Sequence, residues 1–335
     1  MTLPLFWLRQ DGAGDAWLMK SKLPYLAAYV VGMAVVCGIL AWGKPLPMVG
    51  LFVVSGLAIG SLYALGGVGL VVLYRTTGVL NFASGAMGAM GVMTAWQLVQ
   101  WGWYEPLAWA TALVLATVLS LGYGRVIAPR LAWRDPVVKA IATLGYALII
   151  LGITSFVWVD QVRSFTLPTD QMALRVWGLR VTVTRFIALL ATLAVVVGLW
   201  VYLERTRTGL QMRALANERD LSALIGVRIL KVETIAWGMA GLIAGFTGLM
   251  FGDLIRLEPS IITFMVIPSI AAAICGRLDS LGMVLVGGLS IGVLESLLTL
   301  SPVFKSLRTV APFMVAIVML LLLQRGRRNL FERDE

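Results

Sequence analysis

The fold is decided at residues 56–91, which read GLAIGSLYALGGVGLVVLYRTTGVLNFASGAMGAMG and hold one charged side chain, that of Arg75. Apolar residues continue upstream to about residue 48 and downstream to about residue 100. Each side of Arg75 is therefore long enough to cross a bilayer as a helix, which needs roughly 20 apolar residues. A helix bonds its own backbone polar groups, so it is the structure that one apolar segment adopts in hydrocarbon.

The composition of the whole chain supports the same interpretation. Of the 335 residues, 59% are hydrophobic and 13% are charged, and the mean hydropathy is +0.90. Soluble domains carry about 25% charged residues, so most of this chain cannot face water. We predict an all-α, polytopic transmembrane helical bundle that forms a single domain over residues 1–335. About ten spans, and no fewer than eight, are expected at approximately residues 25–42, 48–74, 79–100, 106–127, 138–159, 186–203, 232–252, 261–275, 281–300 and 309–324.

The distribution of Lys and Arg orients these spans. With the N-terminus inside, 19 of the 27 basic residues fall in inside pieces and 8 in outside pieces. Cytoplasmic loops carry such an excess, so we predict a multi-pass protein of a bacterial inner (plasma) membrane with both termini cytoplasmic. The net charge of +10 comes from basic residues at segment ends, which favours the lipid bilayer and not nucleic acid as a partner.

Several kinds of chemistry are disfavoured by the residues that the chain lacks. It has no histidine, and its two cysteines, Cys37 and Cys275, both lie in apolar segments. An intramembrane enzyme would need clustered acid–base or metal-binding groups, so we predict neither catalysis nor a metal site. The phosphate-binding pattern G-x-x-x-x-G-K-[S/T] is also missing, so ATP-driven transport would need a separate motor subunit.

Polar groups inside the spans are candidates for a transport path. Glu295 is the one carboxylate well inside a predicted span, where an ionised group costs on the order of 3 kcal/mol or more. It should face the bundle interior, although a buried structural pair is the alternative. The segment at residues 81–86 opens the third span with polar groups, for which ordinary helix capping is the alternative. The path candidates are Ser61, Tyr63, Asn81, Phe82, Ser84 and Glu295.

Two features of the spans indicate close packing and an interrupted helix. Glycines recur four residues apart, a spacing that lets helix backbones approach closely in membranes. The pairs are Gly56 and Gly60, Gly241 and Gly245, and Gly288 and Gly292. The span at residues 261–275 is short and contains Pro268, which favours either a broken helix beside a transport path or a plain kink.

One pair of decapeptides is self-similar. Residues 56–65 read GLAIGSLYAL and residues 288–297 read GLSIGVLESL, with six of the ten positions identical. In the predicted topology the two run in opposite directions across the membrane, as an inverted internal repeat would. Coincidence is the other explanation, because Gly and Leu are common in this chain.

The most charged inside loop, residues 204–231, reads ERTRTGLQMRALANERDLSALIGVRILK. Its pattern favours two short helices at the inner surface, with a turn near residues 217–220 and a helix end at Gly226. A mixed apolar and charged hairpin suits a protein partner, whereas its basic residues alone would suit anionic lipid. On the outer side, residues 160–185 form the long loop, which we predict to be periplasmic.

Three of these motifs together resemble a known family. The stretch at residues 56–91, the loop RTRTGLQMRALANERDLSALIGV at residues 205–227, and GGLSIGVLESL at residues 287–297 occur in this order. They are similar to branched-chain amino acid ABC-transporter permeases of the LivH/LivM type, closer to LivH. The resemblance covers roughly residues 50–325.

The resemblance implies a set of partners and a docking surface. The partners would be a homologous permease subunit, as a hetero- or homodimer, two ABC ATPase subunits that bind ATP and Mg²⁺, and a periplasmic solute-binding protein. The solute would be a branched-chain amino acid or a related small solute such as an amide or urea, and the chain itself would bind no cofactor. The inside loop would dock on the ATPase through Arg207, Gly209, Arg213, Ala214, Glu218, Ala223 and Gly226.

The sequence also departs from that family. Where the family often has a histidine and an acidic residue, this chain has Ser84 and Ala86, so the resemblance does not fix the solute. The first apolar segment is an additional span that the family typically lacks. A stand-alone secondary carrier or channel for a small polar solute is the alternative function, with Glu295 as its proton or cation site.

Overall fold

The computed structural model describes residues 29–159, 163, 173–176, 179–302 and 304–331. Nearly all of the described residues are helical. The α-helices are α1 (Tyr29–Ala41), α2 (Leu46–Thr77), α3 (Ser84–Gln100), α4 (Glu105–Val126), α5 (Pro136–Trp158), α6 (Val183–Arg205), α7 (Arg207–Asn217), α8 (Arg219–Leu224), α9 (Ile229–Leu254), α10 (Pro259–Phe264), α11 (Val266–Cys275), α12 (Leu281–Leu298) and α13 (Ala311–Phe331). Short 3₁₀ turns lie at Ala128–Leu131 and Lys305–Thr309.

The helices identify a multi-pass membrane protein. Among the described residues, six helices, α2, α4, α5, α6, α9 and α12, are long and apolar enough to cross a membrane. Every one of the ten predicted segments overlaps an α-helix. The segments that contain α1, α3, α10–α11 and α13 are carried by shorter apolar helices, so the count of ten spans stays a prediction.

The helix α3 begins later than the third predicted span. Residues 79–83 form a turn because Gly78 adopts a left-handed conformation, with φ of 68°, and ends α2 there. The amide of Gly78 donates to the carbonyl of Tyr74, and the amide of Val79 donates to the hydroxyl of Thr77. Glycine adopts this conformation without strain, so it makes a favourable helix end.

The short span predicted at residues 261–275 is two helices. The structure places the break at Met265, between α10 and α11. Pro268 lies in the first turn of α11, where its missing backbone donor breaks no helical hydrogen bond. The predicted interruption is therefore present, three residues before the proline that suggested it.

The helix α2 runs through the centre of the bundle and packs along α12. A Cβ atom added to Gly56 would lie 2.7 Å from the carbonyl oxygen of Gly292, and one added to Gly60 would lie 2.6 Å from that of Gly288. Residue numbers rise along α2 as they fall along α12, so the two self-similar decapeptides contact each other in antiparallel orientation. Only residues without a side chain allow the backbones to approach this closely.

A second set of glycines joins α9 to α3 and α4. A Cβ atom added to Gly241 would lie 2.7 Å from the Cα of Thr117, and one added to Gly245 would lie 2.8 Å from the Cα of Leu113. One added to Gly248 would lie 2.5 Å from the backbone of Gly88 in α3. The interpretation of the glycine pairs as helix contacts is confirmed for all three.

The loop at residues 160–185, which we predict to lie outside, contains strands that the sequence did not predict. In its described part, β1 (Ala173–Val176) pairs antiparallel with β2 (Leu179–Thr182), and α6 follows directly at Val183. The backbone of Arg163 pairs with that of Leu257, and its guanidinium lies 5.1 Å from the ring centroid of Trp96. The rest of residues 160–185 lies outside the described residues.

Candidate functional site

One cavity lies in the middle of the bundle, between α2, α3, α9, α10 and α11; we call it the central cavity. Its volume is about 20 Å³, room for about one water molecule. Most of its wall is glycine or aliphatic, with a few hydroxyl and amide groups. The lining residues are Gly66, Gly69, Leu70, Leu73, Asn81, Ser84, Gly85, Gly88, Ala240, Ile243, Ala244, Thr247, Gly248, Phe251, Ile262, Met265, Val266 and Ser269.

Two predicted path residues, Asn81 and Ser84, line the central cavity at the start of α3. The side-chain oxygen of buried Asn81 accepts a hydrogen bond from the amide of Ala83 at 3.0 Å. The hydroxyl of Ser84 donates to the carbonyl of Asn81 at 3.4 Å. These bonds order the turn before α3. Neither is the helix cap of the alternative interpretation, because Ala83, the residue at the N-cap, has no side-chain cap hydrogen bond, and both Asn81 and Ser84 contact the cavity.

The start of α3 also contacts the interrupted span. A Cβ added to Gly85 would overlap the carbonyl oxygen of Thr263, at the end of α10. Gly85 therefore allows α3 to touch α10 two residues before the break at Met265, and Met265 itself lines the central cavity. The hydroxyl oxygen of Thr263 is buried and has no hydrogen-bond partner among the described residues.

A second cavity, the charged cavity, lies where α2 and α6 begin and α12 ends. Its volume is about 280 Å³, far more than the roughly 10–15 Å³ that one water needs. Residues of both charge signs contact it, beside hydroxyl and apolar groups. They are Leu51, Phe52, Ser55, Ile59, Arg185, Gly292, Glu295, Ser296, Thr299 and Arg308.

Glu295 in this cavity is held by Tyr63 of α2. The Tyr63 hydroxyl donates to Oε2 of Glu295 at 3.0 Å, and the sulfur of Met265 lies 3.8 Å from the same hydroxyl. Tyr63 is 1% exposed and Glu295 6% exposed. The hydrogen bond thus connects the charged cavity to the wall of the central cavity, because Met265 lines the latter.

Replacing Tyr63 with phenylalanine tests how much this bond contributes to stability. A buried polar group that loses its partner costs about 1–3 kcal/mol, and more when it is charged. We expect Tyr63→Phe to lower the thermal unfolding temperature of the detergent-solubilised protein. Tyr29→Phe is the matched control, because Tyr29 bonds the neutral hydroxyl of Ser290 at 2.6 Å and should cost less. An equal loss of stability in the two variants would contradict the expectation.

Three path candidates line neither cavity: Tyr63, which contacts Glu295, and Ser61 and Phe82. Ser61 is fully buried and donates to the carbonyl of Ala58 in its own helix, at 2.7 Å. Phe82 is half-buried, and its amide donates to the hydroxyl of Thr143 in α5 at 3.1 Å. Sequence reasoning missed Arg185 and Arg308, because a position next to the end of a predicted span is too common among arginines to single them out.

Residues 204–231, which we predict to lie inside, form the two predicted short helices, α7 and α8. Thr206 caps α7, because its hydroxyl accepts from the amide of Gly209 at 3.0 Å. An added Cβ on Gly209 would lie 2.5 Å from the Cα of Leu203, so glycine allows α7 to pack against the end of α6. Gly226 follows α8 with φ of 87°, a left-handed conformation that agrees with its predicted place at a helix end.

The predicted docking residues fall into two groups. Gly209 is buried, and Arg213 lies half-buried against the end of α2, where it lines a small cavity with Arg75. Ala214 is also half-buried. The others, Arg207, Glu218, Ala223 and Gly226, are exposed.

Four apolar side chains that are not in the predicted docking set are exposed. Three lie on α7 and α8, and the fourth belongs to the residue after α8. Leu224 is 84% exposed and Ile225 70%, and Leu210 and Leu221 are also exposed. An ion pair ties the loop to α9, where Arg219 lies 2.6 Å from Glu233. Within the described residues, no group of three or more His, Cys, Asp or Glu side chains could hold a metal ion.

A family profile matches residues 52–323, and its description is branched-chain amino acid transport system / permease component. The matched range begins in α2 and ends in α13. It contains the α7–α8 loop and the lining residues of both cavities, except Leu51 of the charged cavity.

Several curated proteins are similar over most of the chain. A probable branched-chain amino acid transport permease protein LivH of Methanocaldococcus jannaschii is 26% identical over 69% of this chain and 75% of that protein. The high-affinity branched-chain amino acid transport system permease protein LivH of Escherichia coli K12 is 25% identical over 81% and 92%. The corresponding protein BraD of Pseudomonas aeruginosa is 24% identical over 72% and 84%.

Among solved structures, PsaBC from Streptococcus pneumoniae in complex with Fab aligns with a TM-score of 0.42 and 13% identity. The alignment covers 90% of this chain and 95% of that one. Similarity at that level supports no inference about function.

Proposed function

The chain belongs to the branched-chain amino acid transport system permease family, and from that premise we propose that it is the membrane subunit of an ATP-driven importer. The solute is a branched-chain amino acid or a related small solute, moved across the bacterial inner membrane. The observation that carries the proposal is the family match over residues 52–323, supported by curated relatives that are branched-chain amino acid permeases. A transport permease is not an enzyme, so hydrolysis of ATP belongs to other subunits.

The partners follow from this assignment. Two ABC ATPase subunits bind ATP and Mg²⁺, a homologous permease or a second copy of this chain completes the membrane part, and a periplasmic binding protein delivers the solute. The chain binds no cofactor itself. Ten spans with both termini cytoplasmic place the α7–α8 loop on the ATPase side and residues 160–185 on the side of the binding protein.

The α7–α8 loop is the docking surface for the ATPase. Exposed apolar side chains beside charged ones suit a protein partner, because buried apolar anchors contribute most of the binding energy in an interface. Leu224 and Ile225 are such anchors. The loop is fixed to the membrane part through Gly209 against α6 and through Arg219 and Glu233 to α9. Movement of the ATPase is thereby passed to α6 and α9.

The solute path runs through the two cavities. Glu295, Ser296 and Arg308 in the charged cavity receive the solute, and Asn81 and Ser84 contact it in the central cavity. With a volume of about 20 Å³, the central cavity is closed to anything larger than water, so the helices around it must separate during transport. These helices contact each other through glycines such as Gly85 and Gly88, so few interlocking side chains oppose their separation.

The antiparallel contact of the two similar decapeptides supports an inverted internal repeat. Gly56 corresponds to Gly288 in the two decapeptides, and Gly60 corresponds to Gly292. Gly56 contacts Gly292 and Gly60 contacts Gly288, so the two contacts are equivalent when the segments are interchanged. A two-fold relation between the segments has this property, and inverted repeats in transporters are related by such an axis.

The function is tested by reconstituting the chain with its ATPase, sister permease and binding protein in liposomes. We expect uptake of radiolabelled leucine that requires ATP on the side of the membrane where the ATPase is bound. This uptake should stop when the ATPase is left out. Gradient-driven leucine uptake by the purified chain alone would contradict the proposal and favour a stand-alone carrier. A complex that hydrolyses ATP but moves no amino acid would contradict the assigned solute.

Replacing Leu224 with aspartate tests the docking surface. Loss of a buried apolar anchor costs an interface about 1–2 kcal/mol or more, which is on the order of tenfold in affinity. We expect about tenfold weaker ATPase binding, measured by titration of the purified permease, and a similar fall in uptake.

The matched control for this variant is Leu46→Asp. Leu46 is 71% exposed but begins α2 at the opposite end of the bundle, so this substitution should leave ATPase binding unchanged. Normal ATPase binding by Leu224→Asp would show that α8 is not part of the interface.

A further inference from the structure

The charged cavity contains opposite charges that do not pair with each other. Among the residues that the structure describes, no ion pair joins Glu295 to Arg185, Arg308 or any other cation. The Tyr63 hydroxyl donates a hydrogen bond to Glu295, and Arg308 acts on this carboxylate electrostatically without forming an ion pair with it. A carboxylate that is 6% exposed and two arginines around one 280 Å³ cavity are complementary to a ligand that carries both charges.

Hydroxyl groups in the same wall favour an ammonium group next to Glu295. The Ser55 hydroxyl donates to the carbonyl of Leu51 at 2.7 Å, and the Thr299 hydroxyl donates to the carbonyl of Ser296 at 2.5 Å. Because each has given its hydrogen to its own helix, each oxygen is left with lone pairs that accept a hydrogen bond. An ammonium group has three donors and no acceptor, so it matches this set of acceptors.

Apart from Ser296, the remaining wall is apolar. Leu51, Phe52 and Ile59 of α2 contact the cavity on the same helix as Ser55. Ligand sites in proteins combine such apolar surface with a few polar groups that fix the orientation of the ligand. A simple anion would meet the Glu295 carboxylate, and a simple cation would meet two guanidinium groups, so neither fits as well as a zwitterion with an aliphatic side chain.

We propose that the charged cavity is a binding site for a free zwitterionic α-amino acid, with Glu295 and the hydroxyls holding its ammonium group and Arg185 and Arg308 its carboxylate. The aliphatic side chain contacts Leu51, Phe52 and Ile59. This inference rests on the proposed function, because it takes the solute to be an amino acid. The inference adds to that function the residues that bind the ammonium and carboxylate groups of the solute before it reaches the closed central cavity.

The site is tested by protection of a cysteine placed in its wall. Leu51→Cys, which leaves every assigned polar group in place, is labelled with a membrane-impermeant maleimide in right-side-out vesicles that contain the assembled importer without ATP. The unsubstituted protein, whose Cys37 and Cys275 lie in α1 and α11, gives the blank. Three probes are compared at equal concentration: L-leucine, leucinamide, which lacks the carboxylate, and 4-methyl-2-oxopentanoate, which lacks the ammonium group.

We expect L-leucine to slow labelling about tenfold when its concentration is about ten times its dissociation constant, because only the unoccupied site reacts. Leucinamide and the oxo acid should each protect several-fold less well. Glu295→Gln should remove most of the protection by leucine. The control Asp279→Asn neutralises a carboxylate paired with Arg75 at the other end of α2, and it should leave protection unchanged.

Two results would overturn the proposal: no protection by leucine, or equal protection by all three probes. Leucine uptake in the same vesicles, energised with ATP and supplied with the binding protein, separates this failure from that of the proposed function. Uptake without protection would reject the cavity as the zwitterion site and leave the importer assignment intact. Absence of uptake of any amino acid would reject the importer assignment and this inference together.

Discussion

Gly292→Leu is expected to abolish production of folded protein. A Cβ atom at this position would overlap the carbonyl oxygen of Gly56 and the backbone of Gly60, both in α2. Backbone atoms cannot move aside as a flexible side chain can, so α12 would have to leave its contact with α2. Overpacking a well-packed core already costs about 1–3 kcal/mol per site, and here the central helix of the bundle is displaced. The measurement is the monodisperse fraction of detergent-extracted protein in size-exclusion chromatography.

The control for Gly292→Leu lies in the same helix. Gly282 is also in α12, but an added Cβ there would meet no atom within 4 Å. Gly282→Leu should therefore give the wild-type elution profile. The alanine pair makes the comparison quantitative, because helix propensity alone favours Gly→Ala by about 1 kcal/mol. We expect Gly282→Ala to be neutral or stabilising and Gly292→Ala to be destabilising; the reverse order would show that the α2–α12 contact is wrong.

The fold could largely be predicted because each span carries its own signal. Long apolar runs such as that around Arg75 require helices in hydrocarbon, and the glycine spacing indicated close contacts. The sequence could not show which glycines contact each other, since any two helices with glycines at this spacing could pack together. Nor could it show the strand pair β1–β2, because short strands in a polar loop have no hydrophobic pattern that is long enough to recognise.

The candidate site was only partly predictable. Glu295 was found because a carboxylate inside a span is rare, and this signal depends on one residue alone. Arg185 and Arg308 gave no such signal, because arginines at span ends are common in membrane proteins. They meet Glu295 in one cavity because α6 begins and α12 ends at the same end of the bundle, and this proximity is a property of the fold.

The pairing of Tyr63 with Glu295 has a geometric explanation. They occupy the same place in the two similar decapeptides, and they lie on opposite sides of the Gly60–Gly288 contact. Side chains on a helix are tilted toward its N-terminus. In an antiparallel pair these tilts point toward each other, so the two long side chains meet at 3.0 Å. Substituting either residue therefore affects both similar segments.

Gly85→Val is expected to reduce leucine uptake to near background while the importer still assembles. The added Cβ would overlap the carbonyl oxygen of Thr263, which pushes α10 away from α3 beside the central cavity. A steric cost of about 1–3 kcal/mol in the arrangement that moves solute lowers its population about five- to 150-fold. The α7–α8 loop packs mainly on α2, α6 and α9, so ATPase binding should persist. Both quantities are measured on the reconstituted complex.

Gly145→Val is the matched control, because Gly145 lies within α5 and an added Cβ there meets no atom within 4 Å. The two substitutions add the same atoms to helical glycines, so their difference isolates the α3–α10 contact from valine's helix propensity. Normal uptake by Gly85→Val would mean that α10 can shift without affecting transport, and the path would then lie away from the central cavity. Loss of uptake in Gly85→Val alone, with ATPase binding intact in both variants, places the moving part of the path where α3 meets the interrupted span.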